Sequence, residues 1–447
     1  MVSTIPSRLK RAWAGGLLLA LVGPPAQAQA PPDTVRLASV EAALDLALRH
    51  NPTQAVYQQQ LRQARFNYQA AKGVLLPQAS VGFTGTDNLK LPVTPVPGEL
   101  VGQPGTTFNA QFGRQYAYTA GLTLSQKLFD WPAVLQTRVA RGQLELSQAQ
   151  QAAYAQTLKE QVAQLYFSAL IAKAALQINQ LDARLADTVQ ILARQRLQAG
   201  TTDLLAVNQA AINAGTVRQN QALSQQLFDQ SLENLKVLLG EKPDRELRLT
   251  EVLVPGAVPA GADPALAPDK SLGPYETQLA LATTQSRQQR AAAYPTIAAT
   301  AYLGNQQFRD DFGLSFGADA WQPYQYLGLS ISKPVFTGFA NRNRSQSAQT
   351  QATIARLQLE QARDQSASHD RVLLKNQAAY RELVRSSATS FGLYADNLRL
   401  SQQKYREGVL PLDGYLRAFQ DYLAAENRYL NSLSSFLANY AGLLARQ

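Results

Sequence analysis

Gly-Leu-Thr-Leu-Ser-Gln-Lys-Leu-Phe at residues 121–129 is echoed by Gly-Leu-Ser-Ile-Ser-Lys-Pro-Val-Phe at residues 328–336. In both stretches apolar and polar residues alternate with a period of two, the signature of a strand with one apolar and one polar face. Reading outward from the first, Tyr116, Tyr118, Ala120, Leu122, Leu124 and Leu128 alternate with Gln115, Thr119, Thr123, Ser125 and Lys127. In the second, Leu327, Leu329 and Ile331 alternate with Ser330 and Ser332. Each has a weaker partner upstream, Val81 and Phe83 against Ser80 and Thr84, and the stretch from Ile297 to Leu303, entered at Leu75-Leu76-Pro77 and Ala293-Tyr294-Pro295. Turn-rich connections over 87–109 and 305–320 separate the members of each pair. A strand pair that occurs twice reads as an internal duplication.

Each pair feeds an unusually long helical pattern, over 132–199 and 341–407. Leu158, Val162, Leu165, Ala169, Ala172 and Leu176 recur at steps of four and three, and Ala348, Ala352, Ala355, Leu359 and Ala362 repeat those steps, a heptad-like seam with small residues for close approach. At about 1.5 Å per residue each long helix reaches on the order of 100 Å, more than a globular core needs. Shorter helical patterns over 40–73, broken early by Asn51-Pro52, and over 203–239, 272–293 and 412–445 are predicted to stack as two half-length helices on each full-length one. The long helices run to isolated glycines, Gly200 and Gly408, where a left-handed backbone position ends a helix at little cost.

The chain carries a formal net charge of +10 and no cysteine. Without thiols there is no disulfide framework, no thiolate metal site and no cysteine for a lipid anchor. No long run of Lys or Arg points to nucleic acid. Arg8, Lys10 and Arg11, the apolar run from Ala12 to Val22, and Ala26-Gln27-Ala28 read as an export signal cleaved after Ala28. The expected organisation is therefore a signal peptide over 1–28, a first structural repeat over 29–240, a Pro-rich connector over 241–271 and a second structural repeat over 272–447. Beyond the signal no apolar stretch is long enough for a transmembrane helix.

Apolar-out, polar-in strands of about ten residues are the pattern of an outer-membrane barrel. Barrels need about eight strands, and open edges in lipid leave backbone groups unsatisfied. Four strands per chain cannot close, so copies must share the barrel, and three protomers giving twelve strands form the simplest ring. The expected fold is mainly α with transmembrane β, internally duplicated, with four strands per chain in a shared 12-stranded trimeric β-barrel. The alternative is a soluble periplasmic coiled-coil scaffold with a four-stranded sheet.

Further local motifs accompany the duplication: Ala43-Leu44 followed by His50-Asn51-Pro52, Lys127-Leu128-Phe129-Asp130-Trp131, Lys333-Pro334-Val335-Phe336-Thr337-Gly338, and the turns at Gly200 and Gly408. In order and spacing these resemble the TolC family of outer-membrane factors over nearly the whole mature chain. The resemblance implies a homotrimeric exit duct in outer-membrane lipid, its β-barrel continued through the periplasm by a long α-helical coiled-coil barrel, partnered by a periplasmic adaptor (membrane fusion) protein and an inner-membrane transporter of an efflux or type I secretion system. It implies strand-helix bends at Pro77, Phe129, Pro295, Pro334, Phe336 and Gly338, with Lys127 standing where the family often has proline. It also implies a gate at the hairpin tips. Thr202 and Asp203 match the acceptor side of a polar link, Tyr405 its tyrosine partner and Asp413 a ring carboxylate. Gly200, Gly408 and Leu410 mark the turns where an adaptor docks, Leu410 standing where a basic partner is common. A second reading stands beside the gate: Thr202 or Asp203 and Asp413 lie where helices begin and are placed to act as caps.

Enzymatic readings find little in the chain. His50 and His369 each stand alone in a helical pattern, and Asp311-Phe312-Gly313 lacks the phosphate loop and catalytic loop that would give that triplet meaning. No catalytic residue, metal or cofactor is expected. Tyr116, Tyr118, Trp321, Tyr324 and Tyr326 are candidates for an interfacial girdle or for packing within the sheet.

Overall fold

The computed structural model describes residues 34–98, 102, 104–253 and 266–447. The export signal expected over 1–28 and the connector prolines Pro255, Pro259 and Pro264 lie outside the described residues. The first half runs β1 (Val35–Leu37), α1 (Val40–His50), α2 (Pro52–Gly73), β2 (Gln78–Asp87), β3 (Val93–Pro97), β4 (Thr107–Gln111), β5 (Tyr116–Asp130), α3 (Trp131–Gln198) and α4 (Leu204–Leu239). After β6 (Leu247–Leu249), the second half runs α5 (Gly273–Ala291), β7 (Thr296–Arg309), β8 (Gln322–Ser332), α6 (Ala340–Arg406) and α7 (Leu412–Ala445).

The helices follow the periodicity closely. Leu158, Val162, Ala169 and Leu176 of the predicted seam are buried along α3, as are Ala355 and Leu359 on α6. The half-length helices abut as expected, and Asn51 makes the joint in the first half. Its amide nitrogen donates to the Leu238 carbonyl at 2.8 Å, and its oxygen accepts from the Gln54 N–H at 3.0 Å and from the Tyr154 hydroxyl at 3.0 Å. The break at Asn51-Pro52 is thus the seat where α4 ends and α2 begins. The backbones come so close there that a Cβ on Gly240 would lie 2.2 Å from the His50 carbonyl oxygen. In the second half Arg446, just past α7, donates to the Ala267 carbonyl at 2.9 Å and pairs with Asp370 of α6 at 2.6 Å.

The main sheet is antiparallel in the order β2-β5-β7-β8, so the two halves meet at β5 and β7, where Leu122 lies opposite Leu303. Its outer strands, β2 and β8, pair on one side only. Apolar side chains stand exposed along it, with Val81 and Leu327 each 83% exposed. No described helix is long and apolar enough to cross a membrane.

The structure corrects the expectations in three places. The connection over 87–109 holds a second hairpin, β3 with β4, instead of irregular chain. β7 continues to Arg309, past Asn305 where the second connection was expected to begin. The connector is paired and anchored where free chain was expected: β6 pairs in parallel with β1, Arg248 opposite Arg36, and Lys173 of α3 donates to the carbonyls of Leu249 and Glu251 at 2.8 and 2.9 Å.

The two strand-to-helix bends are built differently. β5 passes straight into α3 through a bulge between Lys127 and Phe129; Asp130 then caps the helix, accepting from the Ala133 N–H at 2.9 Å, and pairs with Lys127 at 2.7 Å. Lys127 therefore supplies a partner for the cap where a proline would supply rigidity. After β8 the chain needs a longer link through Pro334 and Phe336, with Gly338 and Phe339 at φ of 59° and 64° and the Phe336 ring edge-on to Phe339 at 5.7 Å. Pro77 and Pro295 occupy matching places, each one residue before a strand.

Candidate functional site

The tips of the two helical hairpins, α3 with α4 and α6 with α7, gather the predicted gate residues. Both turns use glycine in the left-handed region, Gly200 at φ 69° and Gly408 at φ 79°. In the first, Gly200 N–H donates to the Leu197 carbonyl at 3.0 Å and Thr201 N–H to the Arg196 carbonyl at 2.9 Å, satisfying carbonyls that the helix end would otherwise orphan. In the second, Gly408 N–H reaches Tyr405 and the N–H groups of Val409 and Leu410 reach Lys404. A side chain on either glycine would meet nothing within 4 Å but would be strained by the backbone angle.

The structure separates the candidate residues into different roles. Asp203 is a cap: its Oδ1 accepts from the Ala206 N–H at 2.9 Å at the head of α4. Thr202 sits half-buried beside it. Asp413 is not a cap, since Pro411 holds that position of α7 with no side-chain bond; it lies in the first turn, where a carboxylate favours the helix dipole, and pairs with Arg417 at 3.1 Å. Leu410 packs against Gly414, where a Cβ would lie 2.8 Å from its Cδ1.

Within the chain Tyr405 meets neither Thr202 nor Asp203. Only 3% exposed, it lies between Arg196 of α3 and Tyr415 of α7. The Arg196 guanidinium stands 4.4 Å from the ring centroid and donates to the carbonyls of Tyr405 and Arg406, the latter at 3.3 Å. Tyr415 stacks on the same ring at 5.7 Å. Burial pushes the Tyr405 hydroxyl up, the Arg196 charge opposing it, so the phenol stays neutral and the cation lies over an uncharged ring. Arg196 thus joins the end of α3 to the end of α6, cancelling part of the negative helix terminus.

Sequence reasoning missed Arg196 and Tyr415. The available signal was an arginine in the last turn of a helix and four aromatic residues, Tyr405, Tyr415, Phe419 and Tyr422, flanking one turn. Nothing local shows that the ends of α3 and α6 are neighbours. The expected girdle also divides: Tyr118 is buried against Phe83, and Trp321 donates to the Ser315 carbonyl at 2.9 Å, whereas Tyr324 and Tyr326 gather on Tyr302 at ring separations of 5.5 and 5.7 Å.

Comparison with known proteins places this architecture. The family model for outer membrane efflux proteins matches residues 43–241. The toluene efflux pump outer membrane protein TtgI of Pseudomonas putida is 26% identical over 237 residues, covering 52% of this chain and 50% of that protein. Protein CyaE of Bordetella pertussis is 26% identical over 344 residues, covering 72% and 69%. The chain spans about half the length of the first relatives it matches. Among solved structures, the CmeC outer membrane channel of Campylobacter jejuni superposes with a TM-score of 0.74 at 16% identity over 91% of this chain and 85% of CmeC. The open state of the Neisseria gonorrhoeae MtrE channel gives 0.71 at 19% identity over 91% and 88%. Over residues 43–241 the chain is similar to outer membrane efflux proteins, and its fold is that of the solved outer membrane channels.

Proposed function

We propose that this chain is one subunit of a homotrimeric exit duct in the outer membrane, through which small molecules or polypeptide pass without chemical change. The observation that carries the reading is the four-stranded sheet with exposed apolar side chains and two unpaired edges, β2 and β8, rooted directly on helices too long for a soluble core. In lipid those edges need partners, and β8 of one copy against β2 of the next closes a twelve-stranded barrel. The helices carry a matching need. α6 buries a narrow seam within the chain and exposes Leu357, Leu374, Leu383, Leu393 and Leu400, as a helix flanked by neighbours in a ring would.

The export signal over 1–28, and the two repeats 29–240 and 272–447 joined by the connector 241–271, belong to this reading. So does a mature chain held in the membrane by its strands. The tips carry the gate and the docking surface for a periplasmic adaptor and its inner-membrane transporter: Gly200, Gly408 and Leu410 shape the turns, and Thr202, Asp203, Tyr405 and Asp413 line them. Exposed Leu204, Leu205 and Val409 beside these turns support docking of an apolar partner surface. The relatives' printed names span toluene efflux and pyoverdine export, so kinship leaves the cargo class open.

Membrane fractionation followed by light scattering in detergent tests the proposal. A trimer mass from the outer-membrane fraction supports it. A monomer, or protein recovered from the soluble periplasm, overturns it in favour of the coiled-coil scaffold.

A further inference from the structure

About 24 Å along α3 from the tip, α3 and α7 bury two carboxyl groups against each other. Asp182 and Glu426 are each 3% exposed. The two carboxyls lie within reach of a shared hydrogen bond, and the Tyr422 hydroxyl lies beside Asp182. Neither carboxyl forms a salt bridge among the described residues. The charged and titratable groups around them are few: Tyr415 and Tyr422 on α7 itself, Arg406 of α6, whose charge reaches Tyr415 but neither carboxyl, and the Arg218–Asp187 pair that joins α4 to α3. Two atoms in this layer, Asp182 Oδ2 and the Tyr415 hydroxyl, are buried without a hydrogen-bond partner. No third acidic or imidazole group joins the pair among the described residues, so a divalent cation would lack ligands here.

Two carboxylates in contact in a poorly solvated site cannot both be ionised, because each charge loses hydration and repels the other. A proton between them removes both penalties. Glu426 is the natural donor. Burial first, then the charge of Asp182, pushes its carboxyl well up; Asp182 is also pushed up by burial, but the bonds it accepts from Tyr422 and Glu426 hold it back. Glu426 also lines a cleft of about 450 Å³ between α3, α4 and α7, bordered by Asn179, Asn220, Ser224 and Asn427, which gives protons a polar route from solvent.

The pair is connected to the tip. Tyr422 stacks on Phe419 at 6.2 Å, Phe419 on Tyr415 at 6.1 Å, and Tyr415 on Tyr405 at 5.7 Å, beneath the Arg196 guanidinium. We propose that Asp182 and Glu426 form a proton-operated latch: one shared proton holds α7 against α3, and its loss at higher pH forces the two hairpins apart along this aromatic ladder. Both groups hold their protons more tightly folded than unfolded. The latch is therefore complete at or below the ordinary carboxylate range and weakens as pH rises through the raised values.

The test compares the full-length wild-type protein with Glu426→Gln in detergent, from about pH 5 to about pH 9. Glutamine keeps a donor toward Asp182 and cannot ionise. Wild type is expected to lose several degrees of Tm across this range, with spin labels on α3 and α7 moving apart, while Glu426→Gln shows neither change. Infrared spectroscopy should find a protonated-carboxyl band in the wild type near pH 7, between the raised values of about 6 for Asp182 and about 8 for Glu426, that titrates away in alkali and is missing from the variant at the same pH. If the variant keeps the wild-type pH slope, or the wild type has no such band, the latch is overturned. Should Glu426→Gln fail to fold, the wild-type infrared titration alone decides. These readouts are of helix packing and stand apart from the membrane test above, so either reading can fail without the other.

Discussion

Replacing Arg196 with alanine should open the tip more readily than any substitution among the residues first matched to the gate. Arg196 is half-buried, so its ring contact with Tyr405 is worth about 1 kcal/mol. Its charged hydrogen bonds to the carbonyls of Tyr405 and Arg406 add about 2 kcal/mol, taken low because one is long and partly exposed. Losing about 3 kcal/mol from the joined hairpins alone would shift an equilibrium between joined and parted tips by roughly 150-fold. Single-channel recording in a planar bilayer reads this as longer open dwell times and more frequent large-conductance states. Arg196→Lys should fall between, because an ammonium keeps the charge but not the planar fork that spans ring and carbonyls. Tyr405→Phe should have a smaller effect than Arg196→Ala, since the ring and the backbone acceptor both remain and only the hydroxyl's interaction with Arg196 is lost. Dwell times for Arg196→Ala indistinguishable from wild type, in a trimer of unchanged thermal stability, would refute the assignment of Arg196 as the link between the hairpins.

Asp203→Ala should destabilise α4 by about 1 kcal/mol through its lost cap, seen as faster amide exchange over the first turn after Leu204; Asp413→Ala, which removes an exposed ion pair, should change stability by less than about 0.5 kcal/mol. Asn51→Ala deletes a helix cap, the bond that seats α4 on α2 and a bond from Tyr154 of α3, and a loss of about 2–3 kcal/mol should appear in chemical unfolding. Gly240→Ala combines a left-handed backbone with a Cβ 2.2 Å from the His50 carbonyl; trimer yield on outer-membrane extraction should collapse, whereas Gly215→Ala, in open helix surface, should leave it unchanged. A normal yield for Gly240→Ala would show that the joint between α4 and α2 yields easily.

Much of this architecture was legible from residues near one another in sequence. The two long helices and their shorter partners follow from apolar spacing and from the Gly and Pro residues that end them, features that act over a few residues whatever the rest of the chain does. The main strands were legible for the same reason, since a period of two needs no knowledge of the partner strand. Even the open sheet was foreseeable, because four strands are too few to close. The β3–β4 hairpin escaped because Pro95 and Pro97 make β3 read as a connection, and only pairing with β4 shows that both prolines are tolerated at an edge. The parallel ribbon of β1 and β6 escaped because its members lie at opposite ends of the first half, and three-residue strands carry no period.

The functional contacts divide along the same line. Asp203 as a cap and the glycine turns are local chemistry, visible in Thr202-Asp203 and Gly200 alone. Arg196 over Tyr405 and Asp182 against Glu426 each join the first hairpin to the second. An isolated arginine near a helix end, or a glutamate on a helix face, reads as an ordinary solvated side chain. Only the packing of α3 against α7, with the end of α6 beside the end of α3, removes the water from around them. The sequence by itself determined the elements and their repetition, because those depend on short-range periodicity. Tertiary structure decided which charges are desolvated and against what, because desolvation belongs to the assembled pair of hairpins and to neither one alone.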